Sequence, residues 1–439
     1  MAYADLDLLR ASISDFGAVH TVGRISRVGQ GVIEATGLSR VATLGDRAEI
    51  LCQSGLKIGA EVLSLEKDHV KLLADGAADG LAIDDRVDLL GQTGICPDSS
   101  WIGRIIDPFG NPLDSQPLMR GPIERNIRSR PPAAAQRRRL GARLETGLAV
   151  FNTLLPLVKG QRIGLFAGSG VGKSSLLANF AKGVEADVAV IALIGERGRE
   201  LREFVEKVLG PEGMARSIII AATSDQSPLV RRRCALAAMT VAEHFRDQGK
   251  HVLFLADSIT RFAEAHREVA LAGGEAATLR GFPPSTSQQI MGLAERSGPG
   301  PEGAGDITAV FSVLVPGSDM EEPVADILRG TLDGHVVMDR KIAERGRFPA
   351  IDLLRSVSRS LPDAATAQEN ELIKQARRLL GAYDKAEMMI QAGLYAAGSD
   401  PVVDKAIKVW PALDGFIAEA ETKNTQASFE RLKAALAKA

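Results

Sequence analysis

The stretch "FAGSGVGKSS" at residues 166–175 holds the residue types that bind phosphate. A strand, a bare loop and a helix start let several backbone N–H groups turn inward around phosphate oxygens, with the helix N-terminus adding positive charge. Gly168, Gly170 and Gly172 allow the chain to bend and approach closely, and Ser169, Val171 and Ser175 complete the cradle. Lys173 is placed to reach the β- and γ-phosphates, and Ser174 to ligate Mg²⁺. The written pattern G-x-x-x-x-G-K-[ST] asks for glycine at position 167, where Ala167 stands. Alanine suits that place if the strand ends there with negative φ.

A cradle binds a nucleotide without hydrolysing it. In "LIGERGREL", Glu196 follows an apolar strand, where a carboxylate can orient and polarise a water. In "HVLFLADSITRF", Asp257 ends another apolar strand and can hold Mg²⁺ through a bound water. Taken singly, Glu196 reads equally as a surface glutamate and Asp257 as a helix N-cap. Their joint occurrence on successive strand ends argues for one site.

The elements that must position these groups lie between residues 161 and 338. "RIGLFA", "DVAVIALIG", "SIIIAAT", "HVLFLAD" and "DITAVFSVLV" are continuously apolar runs of strand length, separated by helical patterns. That alternation predicts a parallel sheet covered on both faces. "RELREFVEKVLG" reads as an amphipathic helix closed by Gly210. Residues 20–92 read as short strands with glycine at turn spacing, hence a small β-barrel. Beyond residue 362 only helical patterns remain. The expected architecture is therefore α/β, with a nucleotide-binding core (93–362) between an N-terminal barrel (1–92) and a C-terminal helical domain (363–439), in keeping with 439 residues.

Composition narrows the function. Net charge is -2, which gives no global field for nucleic acid or an anionic membrane. Arg137–Arg139 and Arg231–Arg233 read as solvated charge runs. Cys52, Cys96 and Cys234 are too far apart to suggest a metal or redox pair and read as buried, reduced thiols. The acidic N-terminus is no signal peptide, and no apolar run reaches the ~20 residues of a membrane helix. A cytoplasmic protein is expected.

"FAGSGVGKS", "GERGRE", "ADSITRFAEAHRE", "DGHVVMDRKIAERGRFPAID" and "SVSR" resemble the catalytic-subunit family of rotary ATP synthases. Within it, "GQRIGLFAGSGVGKSSLL" and "AAGSDPVVDKAI" resemble the ATPases of type III secretion, those of flagellar protein export in particular. The resemblance runs from about Val19 to about Pro411. It implies a RecA-like P-loop NTPase core, with ATP hydrolysed at the interfaces of a homohexameric ring that serves export at the inner membrane. It also implies a stator-like regulator at the N-terminus, export-gate proteins, chaperones and export substrates as partners, and no nucleic acid. Carried over by motif, Glu196 is the catalytic glutamate with Arg197 beside it, and Arg261 approaches the phosphates. Arg359 is a finger offered to the neighbouring subunit's ATP, and Phe348 packs on adenine. The stretch "FPPSTSQQIMGLAER" departs from the family pattern; its segment Ser285–Met291 is expected to be a loop toward the ring's channel.

Two other readings compete. A ring-shaped RNA helicase wants a basic N-terminal domain with aromatic platforms. The first 92 residues instead hold nine Lys/Arg, fourteen Asp/Glu and two aromatics. A non-catalytic ring subunit would replace the carboxylate at 196 by an amide, and Glu196 is present. An injectisome ATPase remains the alternative to a flagellar one.

Overall fold

A computed structural model of the chain describes residues 21–29, 31–315, 320–421 and 423–438. The N-terminal stretch "LDLLRASISDF", at the end of the chain where the resemblance implies a stator-like regulator, lies outside the described residues.

Six strands open the structure: β1 (Thr21–Gly29), β2 (Val32–Thr36), β3 (Arg47–Leu51), β4 (Lys57–Leu65), β5 (Val70–Ala74) and β6 (Arg86–Gly91). They close into an antiparallel barrel in the order β1-β2-β5-β4-β3-β6. The two-residue period is plain in β5, where Val70, Leu72 and Ala74 face inward between less buried neighbours.

The core is a sheet of β7 (Ile105–Ile106), β8 (Arg162–Ala167), β9 (Val188–Glu196), β10 (Ser217–Thr223), β11 (His251–Asp257), β12 (Gly298–Pro299), β13 (Asp306–Leu314), β14 (Gly334–Met338) and β15 (Ile351–Ser358). The order is β15-β14-β8-β13-β11-β9-β10-β7, with β12 beside β13, and only β12 and β15 pair antiparallel. Alternate residues of one strand feed opposite faces. On β9, Ile191 and Leu193 join one apolar cluster while Val190, Ala192 and Ile194 join the other. That is why these strands read as unbroken apolar runs.

The longer helices are α1 (Lys173–Gly183), α2 (Gly198–Glu203), α3 (Pro228–Asp247), α4 (Ile259–Ala272), α5 (Ser285–Glu295), α6 (Pro323–Thr331), α7 (Ala367–Gln391), α8 (Pro401–Ala418) and α9 (Thr425–Leu436). A capping box of Thr366 and Glu369 starts α7, and Asp400 and Asn424 cap α8 and α9. Leu379, Leu413, Phe416 and Leu432 of these last helices share the apolar cluster of Leu165, Ile191 and Leu253. The C-terminal helices are thus seated on one face of the sheet. Among the described residues, no helix is long and apolar enough to cross a membrane.

Three expectations change. Gly210, with φ 66°, does not end the helical segment after β9: α2 passes through a π-helical turn at Phe204–Leu209, and a further turn runs over Gly210–Met214. Ser285–Met291 is no loop but the start of α5, because Thr286, Ile290, Leu293 and Ala294 recur at helical spacing and are buried.

The arginine runs, third, are solvated only in part: Arg138 and Arg139 are exposed, as expected, but most of the other arginines are tied to the protein. Arg233 is 5% exposed and donates to the carbonyls of Pro108, Thr93 and Gly94, while Arg232 pairs with Glu61 at 2.6 Å. Arg138 reaches Asp306 at 2.7 Å, and Arg137 donates to the carbonyls of Ser297 and Glu295. These side chains tie connecting segments to the sheet domain. The three cysteines are free and buried, as expected.

Candidate active site

Strand β8 ends at Ala167, which lies between Leu314 of β13 and Met338 of β14 and is 1% exposed. Its backbone is extended, so alanine carries no strain there. Left-handed conformations begin beyond it, at Gly170 (φ 78°) and Gly172 (φ 86°). Gly168 is not left-handed, and a Cβ there would meet only an ordinary contact, so conformation alone does not demand glycine at 168. Val171 is buried and anchors the loop, while Ser169 and Gly170 are exposed. Lys173 opens α1, followed by the exposed residues Ser174 and Ser175.

The three strands bearing the loop, Asp257 and Glu196 are not immediate neighbours: β13 lies between β8 and β11. It contributes a group that the sequence pattern did not flag. Ser312, fully buried, donates its hydroxyl to Asp257 Oδ1 at 2.7 Å. Lys173 Nζ donates to the same oxygen at 2.5 Å. Asp257 is itself 4% exposed, so its charge is answered by one ammonium and one hydroxyl in a dry setting. The peptide after it, Asp257–Ser258, is cis.

Glu196 reaches this group because β9 bends. Gly195 has φ 70°, and the β9–β10 register shifts beside Glu196. A Cβ on Gly195 would make only ordinary contacts, at 3.4 Å, with Arg231 and Arg261, so it is the left-handed backbone that calls for glycine there. Ser174, Glu196 and Asp257 line one cavity of about 200 Å³, with Glu200, Leu201 and Phe204 among its other walls. Burial, and secondarily the negative charge of Asp257, push the Glu196 carboxyl up to about 7, against the pull of Lys173. A carboxyl so poised suits proton transfer near neutrality.

The remaining candidates divide. Arg261 stands on α4 against the Gly195 bend and pairs with Glu264 at 2.9 Å. Phe348 is 51% exposed, hence no core residue, and its ring lies where a side chain on Gly172 would sit, at 3.2 Å. Arg197 is turned to solvent and pairs with Glu200 at 3.5 Å. Arg359 follows β15 at the other end of the sheet. It is fixed by its backbone N–H to Asp333 O (3.0 Å) and by Nη2 to Arg329 O (3.1 Å). Arg359 therefore does not reach this chain's own phosphate loop.

Residues 147–358 match the nucleotide-binding domain of the ATP synthase alpha/beta family, and residues 365–438 the C-terminal domain of the type III secretion ATPase EscN. The flagellum-specific ATP synthase of Caulobacter vibrioides is 43% identical over 425 residues, 95% of this chain and 96% of that protein. The chain belongs to the ATP synthase alpha/beta family. The flagellum-specific ATP synthase of Salmonella typhimurium is 41% identical, covering 94% of this chain and 93% of its own. Among solved structures, the assembled ATPase EscN of enteropathogenic E. coli superposes with a TM-score of 0.86 at 36% identity, over 94% of this chain and 100% of EscN. EscN in complex with its central stalk EscO gives 0.85. The architecture is the RecA-like P-loop core with an N-terminal barrel and C-terminal helices. The chain is an ATPase.

Proposed function

We propose that the chain hydrolyses Mg-ATP at the interfaces of a homohexameric ring and so drives or assists type III export of flagellar proteins across the inner membrane. The observation that carries the catalytic part is the convergence of Lys173, Ser312 and Asp257 with Glu196 at one cavity. On ATP arrival, Lys173 leaves Asp257 for the β- and γ-phosphates, which the loop N–H groups of residues 168–175 also hold. Glu196 takes a proton from the attacking water as its oxygen bonds to the γ-phosphorus, and the bond to the β–γ bridging oxygen breaks to release ADP. Arg261 lies beside the phosphates, and Phe348 packs on the adenine above Gly172. Arg197 stays in solvent contact beside the catalytic glutamate.

The donors fit magnesium. Among the described residues no cluster of three or more His, Cys, Asp or Glu forms a cage, whereas the Ser174 hydroxyl and the Asp257 carboxylate share a cavity with room for water. Mg²⁺ is commonly bound in this way, through one or two protein oxygens, waters and the substrate phosphates. When bound there, it would draw charge from the γ-phosphate oxygens.

The ring reading is supported by Arg359, which is exposed and among the described residues donates only to backbone carbonyls, and by the solved EscN assembly. The barrel, the sheet and the last helices support a division into 1–92, 93–362 and 363–439. A stalk-like partner is supported by the EscN–EscO complex, and a stator-like regulator at the N-terminus by family resemblance alone. Export-gate proteins, chaperones and export substrates complete the proposed partners, met at the cytoplasmic side of the inner membrane. The EscN likeness over the last helices favours a second reading, an injectisome ATPase; flagellar rod genes beside this gene, or needle genes, decide between them.

Glu196→Gln tests the catalytic assignment. It keeps the phosphate contacts, so Mg-ATP affinity should stay within about threefold while turnover falls roughly 10²–10⁴-fold. Equal loss of binding and turnover sinks the role.

A further inference from the structure

Three features of the sequence play no part in the nucleotide site: the basic linker before the sheet, the arginine run in α3 and the glutamines of α5. They meet. Arg128, Arg130, Arg232 and Arg296 stand around a cavity of about 270 Å³ whose wall also carries Gln288 and Gln289. It shares no residue with the cavity of Ser174, Glu196 and Asp257.

Two carboxylates face these four guanidinium groups. Glu61 accepts from Arg232 at 2.6 Å and from Arg128 at 2.5 Å, and Glu243 holds Arg296 at 2.9 and 2.6 Å. Arg130 has no hydrogen bond or ion pair with another described residue. Positive charge is therefore in excess here, in a protein whose net charge is -2. Arg233 raises the excess, since its hydrogen bonds go only to carbonyls. Burial, and the neighbouring charge of Arg47, push its guanidinium down to about 10.

The donors are also available. A guanidinium carries five N–H groups. Arg232 spends a single nitrogen on Glu61, and its side chain is only 13% exposed. Its other N–H groups have no hydrogen-bond partner among the described residues, and the residue lines the cavity. Planar forks from separate elements converging on a small polar space match the oxygens of phosphate better than a point charge would. The volume is near the lower end for small-molecule sites, which suits a small anion and not a protein segment. Gln288 and Gln289 add amide donors.

We propose that this pocket is a second ligand site that binds a small phosphoanion through Arg130 and Arg232, with Gln288 and Gln289 donating to its oxygens. The anion could be free, as pyrophosphate is, or the phosphate arm of a nucleotide. The site does not depend on the ring reading or on the role of Glu196.

The test is calorimetric titration of the full-length chain with inorganic pyrophosphate, in wild type and in Lys173→Ala, Arg130→Glu and Gln288→Glu variants. The altered side chains at 130 and 288 are exposed, and melting curves check that these variants remain folded. Two classes of binding are expected in wild type. Lys173→Ala removes one of them. Arg130→Glu and Gln288→Glu each weaken the other at least tenfold and leave ATP turnover unchanged. A single class, abolished by Lys173→Ala and untouched by the other two changes, overturns the proposal. Repeating the titration with ADP identifies the source: binding that depends on Arg130 marks the phosphate arm of a nucleotide, and its restriction to pyrophosphate marks a free anion.

Discussion

The two ends of the sheet handle charge in opposite ways. At the C-terminal ends of β8, β11 and β9, Lys173, Asp257 and Glu196 are gathered within one chain, and Asp257 is almost sealed from water. At the other end of the β14–β15 edge, Arg359 is exposed and held only by carbonyls. Strand β14 spans the difference: Met338 pairs with Ala167 before the phosphate loop, while Gly334 pairs with Ser358 beside Arg359. Gly334 and Met338 are the two ends of this five-residue strand, so four steps of roughly 3.3 Å separate the two places. One end is a site nearly complete in itself. The other carries an exposed cation that, among the described residues, meets no carboxylate, and the proposed ring would bring it another chain's nucleotide.

The largest effect expected from that contrast comes from Arg359→Ala. A finger in trans contributes roughly 10³–10⁵ in turnover, so hydrolysis should fall by about 10³ while nucleotide binding to the isolated chain holds. Mixing Arg359→Ala with Glu196→Gln should restore part of the activity, because some interfaces then pair an intact Glu196 with an intact Arg359. Two inactive variants that stay inactive when mixed, under conditions where wild-type chains assemble, would break the comparison. Turnover should also rise more steeply than linearly with wild-type concentration.

A smaller effect concerns the gathered end alone. The Glu196 carboxyl is pushed up to about 7 by burial and by Asp257, so below that pH it holds a proton and cannot accept another. The kcat/KM for ATP should fall about tenfold per unit as pH drops below 7, the slope of a single protonation. Stability moves the other way. A raised carboxyl favours the folded state while protonated, and that contribution is lost as pH rises from about 4.5 through about 7. Glu196→Gln should therefore melt higher than wild type at pH 8, and nearly level with it at pH 4. The reverse order would mean that the glutamate is stabilised as a carboxylate.

How much of this could be read before the fold was known depended on locality. The phosphate loop, Glu196 and Asp257 are legible because each pairs an apolar strand with the residue at its end, and both parts are adjacent in sequence. Ser312 sits mid-strand, and only the strand order β8–β13–β11 brings it to Asp257. Nothing in "VFSVL" distinguishes it. Arg231–Arg233 misled for a related reason: a charge run looks alike whether it faces water or buried carbonyls, and the carbonyls of Thr93, Gly94 and Pro108 lie more than a hundred residues away. The helix at Ser285 is legible in its own residues, since Thr286, Ile290, Leu293 and Ala294 repeat at three and four.

The smallest effect tests where the adenine lies between the two ends. Phe348 projects over Gly172, half exposed, so its removal costs the fold little and its ring remains free to stack. Stacking of a base on an aromatic face contributes about 1–3 kcal/mol. Phe348→Ala should raise the KM for ATP roughly tenfold with kcat held, because the contact is the same in ground and transition states. Phe348→Tyr, which preserves the ring, should stay within about twofold of wild type. If Phe348→Ala lowers the melting temperature by several degrees and leaves KM unchanged, the ring packs on protein and the adenine lies elsewhere.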